Sequence, residues 1–178
     1  RGLGKAAAVA VLSGLVLAMW SLPLRAYWIN DGNGVCIYTG LQNLPQQVSD
    51  GSGGVILAWR DERSGSADIY AQRIDAGGIP LWPLNGVPVC TVAGSEYDQF
   101  IASDGSGGAI IVWYDQRSGL GIYAQRMSAG GIPLWTTNGI AICGGGAGDG
   151  RGSPRIVSDG SGGGIVGIDG VAVHQPLF

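Results

Sequence analysis

The chain has 178 residues, a formal net charge of −3, 46% apolar residues and 34 glycines, about a fifth of its length. Glycine in that abundance fits collagen, a disordered linker or a fold with many tight turns. Glycine does not recur at every third position, which excludes collagen, and Val, Ile, Leu and Trp runs between the glycine clusters argue against disorder. Many short strands joined by glycine turns are what remains.

The first predicted element is a targeting segment. Arg1 and Lys5 precede an apolar stretch over 6–24 that ends in Pro23-Leu24-Arg25-Ala26. A positive start, an apolar middle and a small residue at the exit predict a signal peptide over 1–26, and hence a secreted or cell-surface product, extracellular or periplasmic. The alternative is an uncleaved anchor, since those 19 residues would just span a bilayer; only then is a membrane a partner. Without residues 1–26 the chain keeps 7 arginines, no lysine and 13 acids, a net charge of −6. An acidic chain without a basic cluster repels phosphate backbones, so nucleic acid is not expected as a partner.

Residues 27–178 are organised by a repeat. Ser-Asp-Gly-Ser-Gly-Gly stands at 49–54, 103–108 and 158–163, spaced by 54 and 55 residues. Trp-x-Asp-x-Arg stands at 59–63 and 113–117, Ile-Tyr-Ala-Gln-Arg at 69–73 and 122–126, and Ala-Gly-Gly-Ile-Pro-Leu-Trp at 76–82 and 129–135. Trp28, Trp82 and Trp135 each precede a cysteine by eight residues. The units end near 46, 100 and 154: two are complete, with a partial one at each end.

Within a unit the periodicity is that of strands. Gln47-Val48-Ser49 enters the turn Asp50 to Gly54, whose glycines supply positive φ. Val55 to Trp59 is a continuous apolar run, as expected of a strand buried on both faces. Asp68 to Ile74 forms the next strand after Arg63-Ser64-Gly65, and Leu81-Trp82 and Val87 to Cys90 complete the unit around Asn85-Gly86. The expected fold is all-β, with propeller-like units of about 54 residues and four short antiparallel strands each. One four-stranded sheet leaves two apolar faces bare, and stacking sheets around an axis buries both. A solenoid or a pair of sandwiches fits the period less well.

The pattern Ser-Asp-Gly-Ser-Gly-Gly-x-Ile-x-x-Trp-x-Asp-x-Arg-Ser-Gly, followed by Ile-Tyr-Ala-Gln-Arg and Leu-Trp-x-x-Asn-Gly, resembles the blade repeat of large secreted bacterial β-propeller proteins. The Asp-Gly-x-Gly turn before a Trp strand is distantly similar to the Asp-box of sialidase-type propellers, from which it departs in the placing of its Asp and Trp. The resemblance implies a propeller over nearly all of 27–167 and brings no catalytic residue with it.

Closed propellers have about four to eight blades, and under three units are present. The repeat predicts Trp, Asp and Arg at 168, 170 and 172, where Ile168, Gly170 and Ala172 stand. A chain truncated or frame-shifted after Gly167, within the second strand of a unit, is the expectation; a divergent capping strand is the alternative. Missing blades or self-association would then be needed to close the fold.

The side chains able to do chemistry recur with the unit. Trp59, Asp61 and Arg63, and again Trp113, Asp115 and Arg117, alternate along a strand and are expected on one face. They read either as a carbohydrate site or as a structural staple in which Asp and Arg satisfy each other, and their recurrence in every unit favours the staple. Asp50, Asp104 and Asp159 offer one carboxylate per turn, too few for calcium, so turns are expected there. Cys36, Cys90 and Cys143 fall a whole unit apart, too far for a disulfide among equivalent positions, and no metal site is expected from them. Gly144 to Gly152 fits no phosphate-binding loop. The lone His174 lies beyond the repeat, and no nucleophilic triad, cofactor site or catalytic residue is identified. A non-enzymatic scaffold or binding module for a glycan or protein is the leading expectation. The alternative is a fragment of a secreted, sialidase-like propeller glycosidase.

Overall fold

A computed structural model describes residues 33–143, 153–168 and 171–173. The expected signal peptide over 1–26, the glycine-rich loop 144–152 and His174 lie outside these residues. The described residues form strands and no helix. The first sheet is β1 (Gln42–Ser49), β2 (Val55–Asp61), β3 (Asp68–Ile74) and β4 (Val87–Cys90). The second is β5 (Glu96–Ser103), β6 (Ala109–Asp115), β7 (Gly121–Met127) and β8 (Ile140–Cys143). The third is β9 (Arg155–Ser158), β10 (Gly164–Ile168) and β11 (Val171–Val173). Each sheet is an antiparallel meander with its strands in chain order.

The tightest local signal is the Asp-Gly-Ser-Gly-Gly turn. Asp50 Oδ1 accepts the N–H groups of Ser52 and Gly54, each at 2.8 Å. Asp104 does the same for Ser106 and Gly108, and Asp159 for Ser161 and Gly163. The last glycine of the turn is fixed by space. A Cβ on Gly54 would lie 2.2 Å from the Ile74 carbonyl oxygen, and one on Gly108 at the same distance from that of Met127.

The sheets stack face to face, and the two-residue period of a strand decides which residue meets which neighbour. Ile56, Ala58, Ile69, Ala71 and Val89 of the first sheet pack against Ala109, Ile111, Trp113 and Met127 of the second. The opposite face of the second sheet, with Ile110, Val112, Ile122, Ala124 and Ile142, packs against Ile156 and Val166 of the third. The central strand β6 is therefore buried on both faces, which is why it reads as an unbroken apolar run. Among the described residues, β2 meets a sheet on one face, and Val55 and Leu57 on the other are half-buried. The first strands lie together: β5 packs against β1 and β9.

Three features differ from the sequence reading. β1 starts at Gln42 and runs through position 46, and β5 runs through 100, so the sheets divide between β4 and β5. A bulge hides the early half of each first strand: the register shifts between Asn43 and Gln46 and between Tyr97 and Phe100. Leu44 and Asp98 adopt φ of 52° and 48° there, breaking the alternation that marks a strand. Leu81-Trp82 forms no strand; Pro80 makes a single bridge to Ile74. Beyond Gly167 the repeat pattern is lost but a third strand follows: β10 pairs with β11, and Ile168 lies opposite Val171.

Candidate functional site

The recurring Trp, Asp and Arg converge on one carboxylate per sheet. In the first sheet, Trp59 Nε1 donates to Asp61 Oδ2 at 2.8 Å. Arg63 grips the same carboxylate with Nε on Oδ1 at 2.9 Å and Nη2 on Oδ2 at 2.6 Å. The second sheet repeats this: Trp113 Nε1 to Asp115 Oδ2 at 2.9 Å, Arg117 Nε to Oδ1 at 2.9 Å and Nη2 to Oδ2 at 2.5 Å. Strand alternation accounts for Trp and Asp but not for Arg. β2 ends at Asp61 and β6 at Asp115, and the chain turns so that the Arg N–H also donates to the Asp Oδ1, at 3.0 and 2.8 Å. Each guanidinium then lies over a tyrosine of the next strand, Arg63 over Tyr70 at 3.8 Å and Arg117 over Tyr123 at 4.0 Å.

These groups are enclosed. Asp61, Asp115 and Trp113 have no exposed surface, and Trp59 has 4%. Burial alone would raise the pKa of both aspartates, but the bonds from Arg and Trp outweigh it and hold each carboxyl below its ordinary value.

The triplets also join one unit to the next. Arg117 Nη2 donates to Cys90 Sγ at 3.0 Å and to the Asn138 carbonyl at 2.7 Å, while Asn138 Oδ1 accepts the Thr91 N–H at 3.1 Å. On the first sheet, Arg63 Nη2 reaches Cys36 Sγ at 3.3 Å and the Asn85 carbonyl at 2.9 Å, and Asn85 Oδ1 accepts the Ile37 N–H at 2.8 Å. Segment 33–38 thus lies on the first sheet as β4 and Thr91 lie on the second. Trp82 adds a further link across the seam, donating Nε1 to the Ala129 carbonyl at 3.0 Å. Cys36, Cys90 and Cys143 are not joined by disulfides among the described residues.

The turn aspartates are engaged as well. Arg73 donates Nε to Asp50 Oδ2 at 2.9 Å, and Arg126 donates Nε to Asp104 Oδ2 at 3.0 Å. The Ser52 N–H and Arg73 lower the Asp50 pKa against the opposing effect of burial. Asp50 and Asp104 therefore have both oxygens bonded to protein groups.

The sequence reading overlooked Glu96. Its carboxylate, the Asp115 carboxylate and Cys90 Sγ lie within 4.8 Å of one another, all buried. Among the described residues, neither oxygen of Glu96 has a hydrogen-bond partner. Burial first, then Asp115 and Asp68, push its pKa up to about 8, and burial pushes the Cys90 thiol up to about 12. Glu96 stands 54 residues after Gln42, an acid where the preceding unit has an amide, in a stretch where the two units share little sequence. A cavity of about 280 Å³ lined by Val35, Cys36, Gln42, Asn43, Pro45, Leu57 and Trp59 opens on the corresponding side of the first sheet.

Comparisons with protein-family models, curated proteins and solved structures give no match to this chain.

Proposed function

We propose that the three sheets are successive blades of a β-propeller, and that the chain is a non-enzymatic, extracellular or cell-surface scaffold or binding module for a glycan or protein. The packing of the first strands β1, β5 and β9 supports the propeller reading, since blades place their first strands around a common axis. The half-buried face of the first sheet, with Val55 and Leu57, is where a preceding blade fits. Further units or a second copy of the chain complete the ring.

The observation that carries the non-enzymatic reading is that the recurring Trp, Asp and Arg are bonded to one another and to the adjoining unit. An active site needs a group once, whereas a seam needs it in every unit. The first two units each present an apolar pair outward: Ile79 and Leu81, and at equivalent positions Ile132 and Leu134, are exposed. A repeated apolar row of this kind suits a partner surface.

The test is a glycan array and a pull-down with the purified chain, run beside chromogenic glycosides. Saturable capture of a ligand without turnover is expected. Glycoside turnover without a captured ligand would overturn the reading in favour of a hydrolase.

A further inference from the structure

Glu96 opens β5 at the junction of the first two sheets, and its N–H donates across that junction to the Ala67 carbonyl at 2.9 Å. It has no exposed surface and lies opposite Asp115 in the β5–β6 register. The groups facing it are Asp115 of β6 with Arg117 just beyond, Cys90 of β4 and Asp68 of β3. β1 also packs on β5 but contains no charged residue. The charged groups of the remaining neighbours are committed elsewhere. In and after β2, Arg60 pairs with Glu62, and Asp61 is held by Trp59 and Arg63. In β9, Arg155 lies over the Phe100 ring at 3.9 Å.

An ionised Glu96 would be a third buried carboxylate beside Asp115 and Asp68, with one guanidinium nearby that Asp115 already holds. Buried charge of this kind is neutralised by a metal ion or by a proton. The place where a cation would bridge Cys90 Sγ and Asp115 Oδ2 is taken, because Arg117 Nη2 stands 3.0 Å from one and 2.5 Å from the other. The first sheet has neutral Gln42 at the equivalent position, so this place in the unit accommodates an uncharged side chain. We propose that Glu96 binds a proton and is a neutral acid at neutral pH, and that its loss under mildly alkaline conditions loosens the seam between the first and second sheets.

The direction of the pH effect follows from linkage. Glu96 titrates near 4.5 when exposed and near 8 when buried, so between those values the folded chain holds a proton that the unfolded chain has released. Its contribution to stability is complete below pH 4.5, is lost as pH rises through 8, and is level above that.

The experiment is equilibrium unfolding of the full chain from pH 5 to 9, comparing wild type with Glu96→Gln. In the wild type this proton lowers the folding equilibrium constant by about tenfold per pH unit across the window. Glu96→Gln is expected to lack that component and to be the more stable protein at pH 9. Equal pH slopes would overturn the proposal. A direct readout is the ¹³C carboxyl titration of the wild type, which has two glutamates, Glu62 and Glu96. One resonance titrating near pH 8 supports the proposal, and both titrating below pH 5 would overturn it. Saturable Co²⁺ binding with a thiolate absorption band, lost in both Cys90→Ser and Glu96→Gln, would also overturn it by making Glu96 a metal ligand.

Discussion

The guanidinium of Arg117 lies 3.0 Å from the sulfur of Cys90, a residue of the preceding sheet, while it also clasps Asp115. One side chain thus links a strand end, its own carboxylate and the neighbouring unit. Arg63 and Cys36 stand in the same relation one unit earlier. The consequences for stability, reactivity and pH dependence can each be measured.

Removing Asp115 leaves a mostly buried guanidinium and an indole N–H without their acceptor. Asp115→Ala is expected to destabilise the chain by about 3–5 kcal/mol, the usual cost of breaking a buried ion pair by deleting one partner. Denaturant unfolding measures it, and a loss under about 1 kcal/mol would show that the triplet does not hold the sheet.

Two glycines of the second-sheet turn separate crowding from backbone preference. A Cβ on Gly108 would lie 2.2 Å from the Met127 carbonyl, whereas Gly105, at φ +73°, has nothing within 4 Å of its Cβ position. Gly105→Ala is expected to cost about 1–2 kcal/mol, the strain of the left-handed region. Gly108→Ala is expected to cost more, because the β6–β7 pairing must move. Unfolding free energies of the two variants check the order.

Thiol labelling reads the seam directly. Cys90 is fully buried with its thiol pKa pushed up to about 12, whereas Cys36 and Cys143 are half-buried. Under native conditions at pH 8, iodoacetamide is expected to modify Cys36 and Cys143 well before Cys90, as resolved by peptide mass spectrometry. Denaturant should remove the difference.

On the acid side the aspartates govern stability. Asp50, Asp61 and Asp115 have folded-state pKa values below the ordinary 3.8. Their contribution is present above pH 3.8 and is lost as pH falls through the lowered values. Glu96 acts in the opposite sense above pH 4.5, so maximum stability is expected near pH 4–5 in the wild type and over a broader range in Glu96→Gln. Melting temperatures from pH 2 to 9 give both profiles.

The strands and turns were legible because the unit states them repeatedly. The run 55–59 has the length and composition of a strand and forms β2, although Val55 and Leu57 are half-buried where enclosure on both faces was expected. The Asp-Gly-Ser-Gly-Gly turn carries its own hydrogen-bond acceptor. The early half of β1 was not legible, since Pro45 and the left-handed Leu44 interrupt alternation. The Trp-x-Asp-x-Arg spacing showed that three groups belong together, but not that Arg63 and Arg117 leave the strand, nor that each meets a cysteine 27 positions earlier in the chain. Such contacts arise from stacking of sheets and have no local periodicity. Glu96 was missed for a related reason: a single acid is unremarkable until its neighbours are known.

The central claim is that the recurring Trp, Asp and Arg form the seams between units and are not a ligand site. The most direct measurement is ¹H–¹⁵N spectroscopy of the indole N–H groups of Trp59 and Trp113, with hydrogen exchange and a titration with mixed oligosaccharides. The account predicts two indole protons protected from exchange like the backbone of β6, with resonances unmoved by sugar. Rapid exchange together with saturable, sugar-dependent shifts at those two resonances would contradict it.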